Sequence, residues 1–100
     1  MKSITFNKSG KSKEEIMQCL EKLEKKYSDE ISENNISIKK NGTEFTLSAV
    51  KKILFLTYKI DAKLIISDGL IKLDYESNIP ESFEKDAIKM IEDEINTECV

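Results

Sequence analysis

Residues 53–75 read ILFLTYKIDAKLIISDGLIKLDY, and this stretch decides the fold. The even positions Leu54, Leu56, Tyr58, Ile60, Ala62, Leu64 and Ile66 are apolar without a break, while Thr57, Lys59, Asp61, Lys63 and Ser67 fall between them. A period of two marks a strand with one buried face. Asp68-Gly69 supplies the residues that a two-residue hairpin turn favours, because both tolerate positive φ. Pairing back from that turn sets Ile66 against Ile71, Leu64 against Leu73 and Ala62 against Tyr75. On the other face it sets Lys63 against Asp74, an opposite-charge pair. A one-residue slip would undo all four matches, so the register is strongly specified.

Working outward, Asn41-Gly42 is a second hairpin signal, between strands at 35–40 and 43–49. It sets Ile38 against Phe45, Ile36 against Leu47 and Lys39 against Glu44. The link into the central strand is expected at Lys51-Lys52 or across residues 50–53, which puts Ala49, Leu47 and Phe45 beside Leu54, Leu56 and Tyr58. The central strand is long, so a bend or bulge near Lys59 is expected. Residues 3–7 alternate, with Ile4 and Phe6 on one face, and form a first strand expected beside the last one. Ser12 with Glu15 makes a capping box. From there Ile16, Cys19, Leu20, Leu23 and Tyr27 form one helical stripe, with Met17 at its margin. Residues 28–35 are polar and read as a loop, with Ile31 as an extension of the stripe. Pro80 stands where helices begin, and Phe83, Ala87, Ile88, Ile91 and Ile95 share one face of a second helix. The result is a single α+β domain over residues 1–100, a two-layer sandwich in the order β-α-β-β-β-β-α. Two helices cover one face of an antiparallel sheet of about five strands.

Composition narrows the function. The chain has 100 residues, 39% hydrophobic and 35% charged, which describes a globular domain rather than a disordered one. Its 16 basic residues are all Lys, against 19 acidic residues, for a net charge of −3. Without His there is no Ser-His or Cys-His pair and no imidazole metal ligand. Without Arg there is no bidentate clamp for phosphate. The lysine pairs are interspersed with acidic residues, so no concentrated positive face marks a nucleic-acid binder. Cys19 and Cys99 have no metal or secreted-framework spacing and read as a half-buried thiol and a tolerated terminal one. No apolar run approaches a membrane span, and the first residues lack a signal-peptide core, so a cytoplasmic location is expected.

Gly10-Lys11-Ser12 follows a strand and opens a helix, as a phosphate loop would. Its partner glycine position holds Thr5, however, and Ser12 as a helix cap explains the residues. Glu92, Asp93, Glu94 and Glu98 fan apart on a helix and read as a solvated acidic end rather than a calcium site. No catalytic residues, cofactor or metal site are expected, and the chain reads as non-enzymatic. Two constellations stand as candidates for binding. Ile53, Phe55 and Ile65, with Leu70 near Ile65, would interrupt the polar face of the sheet away from the helices and serve a protein partner or a second copy in a homodimer. Phe45, Leu56, Tyr58, Leu64, Phe83 and Ile91 would line an apolar cavity between helices and sheet.

The second half, FTLSAV followed by YKIDAKLIISDGLIKLDYESNIPESFEKDAIKMIEDEI, resembles the small bacterial family of polyhydroxyalkanoic acid system proteins. The resemblance is carried by the hairpin at 60–69, Pro80 after the last strand, and the amphipathic helix at 83–95. It implies a helix-covered antiparallel sheet similar to a reduced helix-grip fold, and an association with storage granules or apolar ligands. It brings no catalytic residues.

Overall fold

The structure is a computed structural model that describes residues 2–99, without the side chain of Ile53. The elements are β1 (Lys2–Asn7), α1 (Lys13–Lys26), α2 (Ser28–Glu33), β2 (Ile36–Asn41), β3 (Glu44–Ile53), β4 (Leu56–Ser67), β5 (Leu70–Ser77) and α3 (Glu81–Glu98). The strands form one antiparallel sheet in the order β1-β5-β4-β3-β2, so the first strand crosses to the edge beside the last. This is the expected α+β arrangement, with one addition. The segment read as a polar loop forms α2, a short helix without a side-chain cap, stacked directly after α1 at Tyr27.

The β4–β5 register is the one the Asp68-Gly69 turn specifies: Ile66 pairs with Ile71, Leu64 with Leu73, Lys63 with Asp74 and Ala62 with Tyr75. The ion pairs differ from the ladder, since Lys63 reaches Glu44 at 3.7 Å and Asp74 faces Lys72 at 3.9 Å. The other two hairpins differ from expectation by even shifts. At the β2–β3 turn, Asn41 pairs with Glu44, so Gly42 and Thr43 form the reversal and Ile38 meets Leu47 rather than Phe45. Gly42 takes a φ of +64°, so the glycine alone meets the left-handed requirement. A shift of two residues leaves every side chain on its original face, which is why the core survives it.

The β3–β4 link moves further. Ile53 pairs with Leu56, and the turn is Leu54-Phe55 instead of the lysine pair. Phe45 thereby meets Leu64, Leu47 meets Ala62, and Ala49 meets Ile60. This register carries Phe45 and Leu64 under the helices, where both are buried. The ladder runs unbroken from Leu56 to Ile65, with no bulge at Lys59.

The core lies between the helices and one sheet face. Phe6, Phe45, Leu64, Ile66, Ile71, Leu73 and Tyr75 come from the strands, and Ile16, Met17, Leu20 and Ile95 from the helices. Each fully buried side chain of this size contributes on the order of 2 kcal/mol. Ser12 caps α1 as expected: its hydroxyl accepts from the Glu15 amide at 3.2 Å, and the Glu15 carboxylate accepts from the Ser12 amide.

Cys19 and Cys99 are not free thiols. They form a disulfide across 80 residues, with Cα atoms 5.6 Å apart, and tie the middle of α1 to the end of α3. The spacing gave no sign of this because the proximity is created by two helices packing, not by local sequence.

Candidate functional site, an apolar groove between helices and sheet

The helices do not cover their sheet face completely. A groove of about 440 Å³ opens between α1 and α2, α3, and strands β2 to β4. Its floor is Ile36, Ile38, Phe45, Leu47 and Leu64; its walls are Leu20, Leu23 and Ile31 on one helix pair and Met90, Ile91 and Ile95 on α3. Four of the wall residues follow from helical spacing: Leu20 and Leu23 continue the stripe of α1, and Ile91 and Ile95 stand four apart on α3.

Of the residues expected to line such a cavity, Phe45, Leu64 and Ile91 do so. Leu56 and Tyr58 do not, because the longer β3–β4 hairpin carries them past the helices, leaving Leu56 mostly exposed. Phe83 does not either; it is 64% exposed on the first turn of α3. The position beside it, Glu84, is buried instead. Its carboxylate accepts from the Lys2 ammonium at 2.6 Å and from the Ser77 hydroxyl. That clasp turns the start of α3 so that Glu84, not Phe83, faces the sheet. The Lys2 ammonium, then the Ser77 hydroxyl, hold the Glu84 carboxyl below the usual carboxylate range.

The charged residues of the groove are Glu24, Glu30 and Glu94, with Tyr27 and Asn34 completing the polar rim. None of the chain's lysines lines it. The neighbouring Glu94 carboxylate, then desolvation, raises the Tyr27 phenol above its usual range. The Lys26 ammonium, which pairs with Glu98, sits 5.3 Å from the Tyr27 ring centroid. The apolar members of the groove were open to a reading of hydrophobic period. The acidic rim was not, because its residues come from three helices and share no sequence spacing.

The second candidate surface does not assemble. Phe55 belongs to the β3–β4 turn and Ile53 to β3, whose side chain there lies outside what the structure describes. Only Ile65 and Leu70 remain on the open face, as diagonal neighbours and half-buried. Their ladder partners are polar: Ile65 pairs with Glu44 and Lys72, and Leu70 with Ser67 and Asn7. A shallow recess of about 350 Å³ lies beside residues 33–35 and 50–52. Among the described residues, no group of three or more His, Cys, Asp or Glu converges as a metal site, and no helix is long and apolar enough to cross a membrane.

No protein-family model and no curated protein matches the chain. Among solved structures it is similar to a TBP-like protein from Parabacteroides distasonis, at a TM-score of 0.56 and 14% identity. The match covers 80% of this chain but 57% of that protein. At that identity the likeness is one of fold.

Proposed function

We propose that this chain is a non-enzymatic binding module whose working surface is the groove between helices and sheet. The observation that carries this reading is a concave, almost wholly apolar surface that the fold leaves open, within the volume range of binding clefts. Monomers seldom expose contiguous apolar surface without a use for it. A protein segment with an apolar face is the favoured occupant. A small apolar ligand, or the apolar surface of a storage granule, is the second reading, supported by the groove's volume and by the resemblance of the second half. The disulfide fits an oxidising compartment better than the cytoplasm.

An uncharged apolar dye, N-phenylnaphthylamine, tests the reading on dilute protein. Saturable fluorescence enhancement is expected. Ile91→Lys on the groove wall should weaken it by about tenfold, the effect of roughly 1.4 kcal/mol of lost apolar contact. Leu70→Ser on the open face should leave it unchanged. Dye binding that is absent, or indifferent to Ile91→Lys, overturns the proposal.

A further inference from the structure

Beyond the five-stranded part of the sheet, β3 and β4 continue as a pair, held at its base by Asn78. The pairing of β2 with β3 ends at Ala49, and that of β5 with β4 begins at Ile60. Residues 50–59 are therefore a two-stranded arm, closed by Leu54 at 93% exposure and Phe55 at 101%. Leu54 holds a φ of +55°, a left-handed conformation that strains a residue with a Cβ and suits glycine. An exposed leucine in a strained turn, beside an exposed phenylalanine, is poor chemistry for solvent and good chemistry for a partner. Lys51, Lys52 and Lys59 surround this tip, and no acidic residue lies between positions 50 and 60. Among the described residues, none of these three lysines is in an ion pair.

The groove is the complement of that tip: apolar inside, with Glu24, Glu30 and Glu94 and no lysine on its lining. The tip cannot reach its own groove. Ile36, the strand residue of the groove nearest the tip, pairs with Ala49, five positions from Leu54 along the straight arm, roughly 17 Å. Symmetric pairings are disfavoured: tip on tip opposes lysines to lysines, and groove on groove opposes glutamates to glutamates.

We infer that the groove receives the Leu54-Phe55 tip of a second copy, so that the chain associates head to tail. This rests on the binding role proposed for the groove and names its occupant. Such a contact is heterologous: each copy keeps one free tip and one free groove, and association continues until a ring closes or the protein is depleted.

Two variants test it. Leu54→Ser/Phe55→Ser removes the tip and keeps the groove. Met90→Lys/Ile91→Lys blocks the groove and keeps the tip, at positions 68% and 38% exposed, so the fold is spared. Circular dichroism checks that both are folded, and light scattering after size exclusion reads mass. The unaltered chain should grow in mass with concentration, and salt should reverse the growth. Each variant alone should stay at 11.5 kDa. Their equimolar mixture should give a species of twice that mass and nothing larger, since one tip and one groove are all that remain. A mixture that stays monomeric, an unaltered chain that is monomeric throughout, or a tip that binds only anionic phosphatidylserine vesicles overturns the inference. If the tip variant still binds N-phenylnaphthylamine in that event, the groove's role stands and only its occupant is wrong; if it does not, both fail.

Discussion

At one end of β4 the chain reverses through Asp68 and Gly69; at the other it reverses through Leu54 and Phe55. The first reversal is clamped by the loop that leads from β1 into α1. The Lys8 amide donates to the Gly69 carbonyl, the Gly69 amide to the Lys11 carbonyl, and the Lys13 amide to the Asp68 carboxylate, each at 2.8 Å. Gly69 there takes a φ of +70°, as glycine readily does. The second reversal has a leucine in the left-handed region and both central side chains in solvent. One end of the strand is built for stability, with suitable residues and satisfied hydrogen bonds. The other departs from the turn rules and exposes apolar surface, a pattern expected where function rather than folding selects the residues.

The largest expected effect falls on the clamped end. The Cys19–Cys99 bond closes a loop of 80 residues, and its loss costs about 4 kcal/mol in the loop-entropy account. Cys19→Ser/Cys99→Ser should lower the urea midpoint accordingly, with hydrogen exchange accelerating in α1 and α3. The arm at 50–59, which has no contact to lose there, should exchange early in both proteins. Equal protection of the arm and of β5 in the unaltered chain would erase the contrast between the two ends.

A matched pair of turn substitutions sharpens the contrast with opposite signs. Gly69→Ala places a Cβ in ordinary contact with the Lys8 carbonyl, 3.5 Å away, so its cost is conformational, about 1 kcal/mol. Leu54→Gly relieves the same kind of strain and should leave stability unchanged or raise it by up to about 1 kcal/mol, part of the gain being offset by glycine's unfolded-state freedom. Urea midpoints for the two variants decide it. Loss of stability in both would mean that Leu54 is held by packing within its own chain.

The difference between the ends also explains what the sequence disclosed. Around Asp68-Gly69 every local signal agrees, and the register, the core positions Leu64, Ile66, Ile71 and Leu73, and the place of β1 could all be read in advance. Around Leu54-Phe55 the alternation continues straight through the turn, because leucine and phenylalanine carry no turn signal. Periodicity therefore assigned Leu54 and Leu56 to the core, and Phe55 to the opposite face. Two of the six residues expected to line the cavity, Leu56 and Tyr58, went with them. Phe83 was lost for a different reason, the buried carboxylate of Glu84, which no helical period announces. The groove's apolar floor was legible because burial follows period. Its acidic rim, like the Cys19–Cys99 disulfide, depends on how helices meet in space.

The smallest effect concerns the corner where the two regions join. Asn78 bonds along the base of the arm, its side chain accepting from the Lys59 amide at 2.7 Å and donating to the Thr57 carbonyl at 2.8 Å. Immediately beside it, Ser77 and Lys2 hold Glu84. The folded carboxyl of Glu84 lies below its ordinary 4.5, so its contribution to stability is complete above that pH and is lost as pH falls through the lower folded value. The Lys2 ammonium is raised above its ordinary 10.5, first by the hydrogen bond to Glu84, so its contribution is complete below that pH and is lost as pH rises past the raised value. The clasp is therefore fully engaged only between these limits. Glu84→Gln should lower the melting temperature slightly near neutral pH and flatten the acid limb of the stability profile, while the clamped turn at Asp68-Gly69 keeps its hydrogen-exchange protection. An acid limb of unchanged steepness in Glu84→Gln would assign the acid sensitivity to other carboxylates and detach this corner from the start of α3.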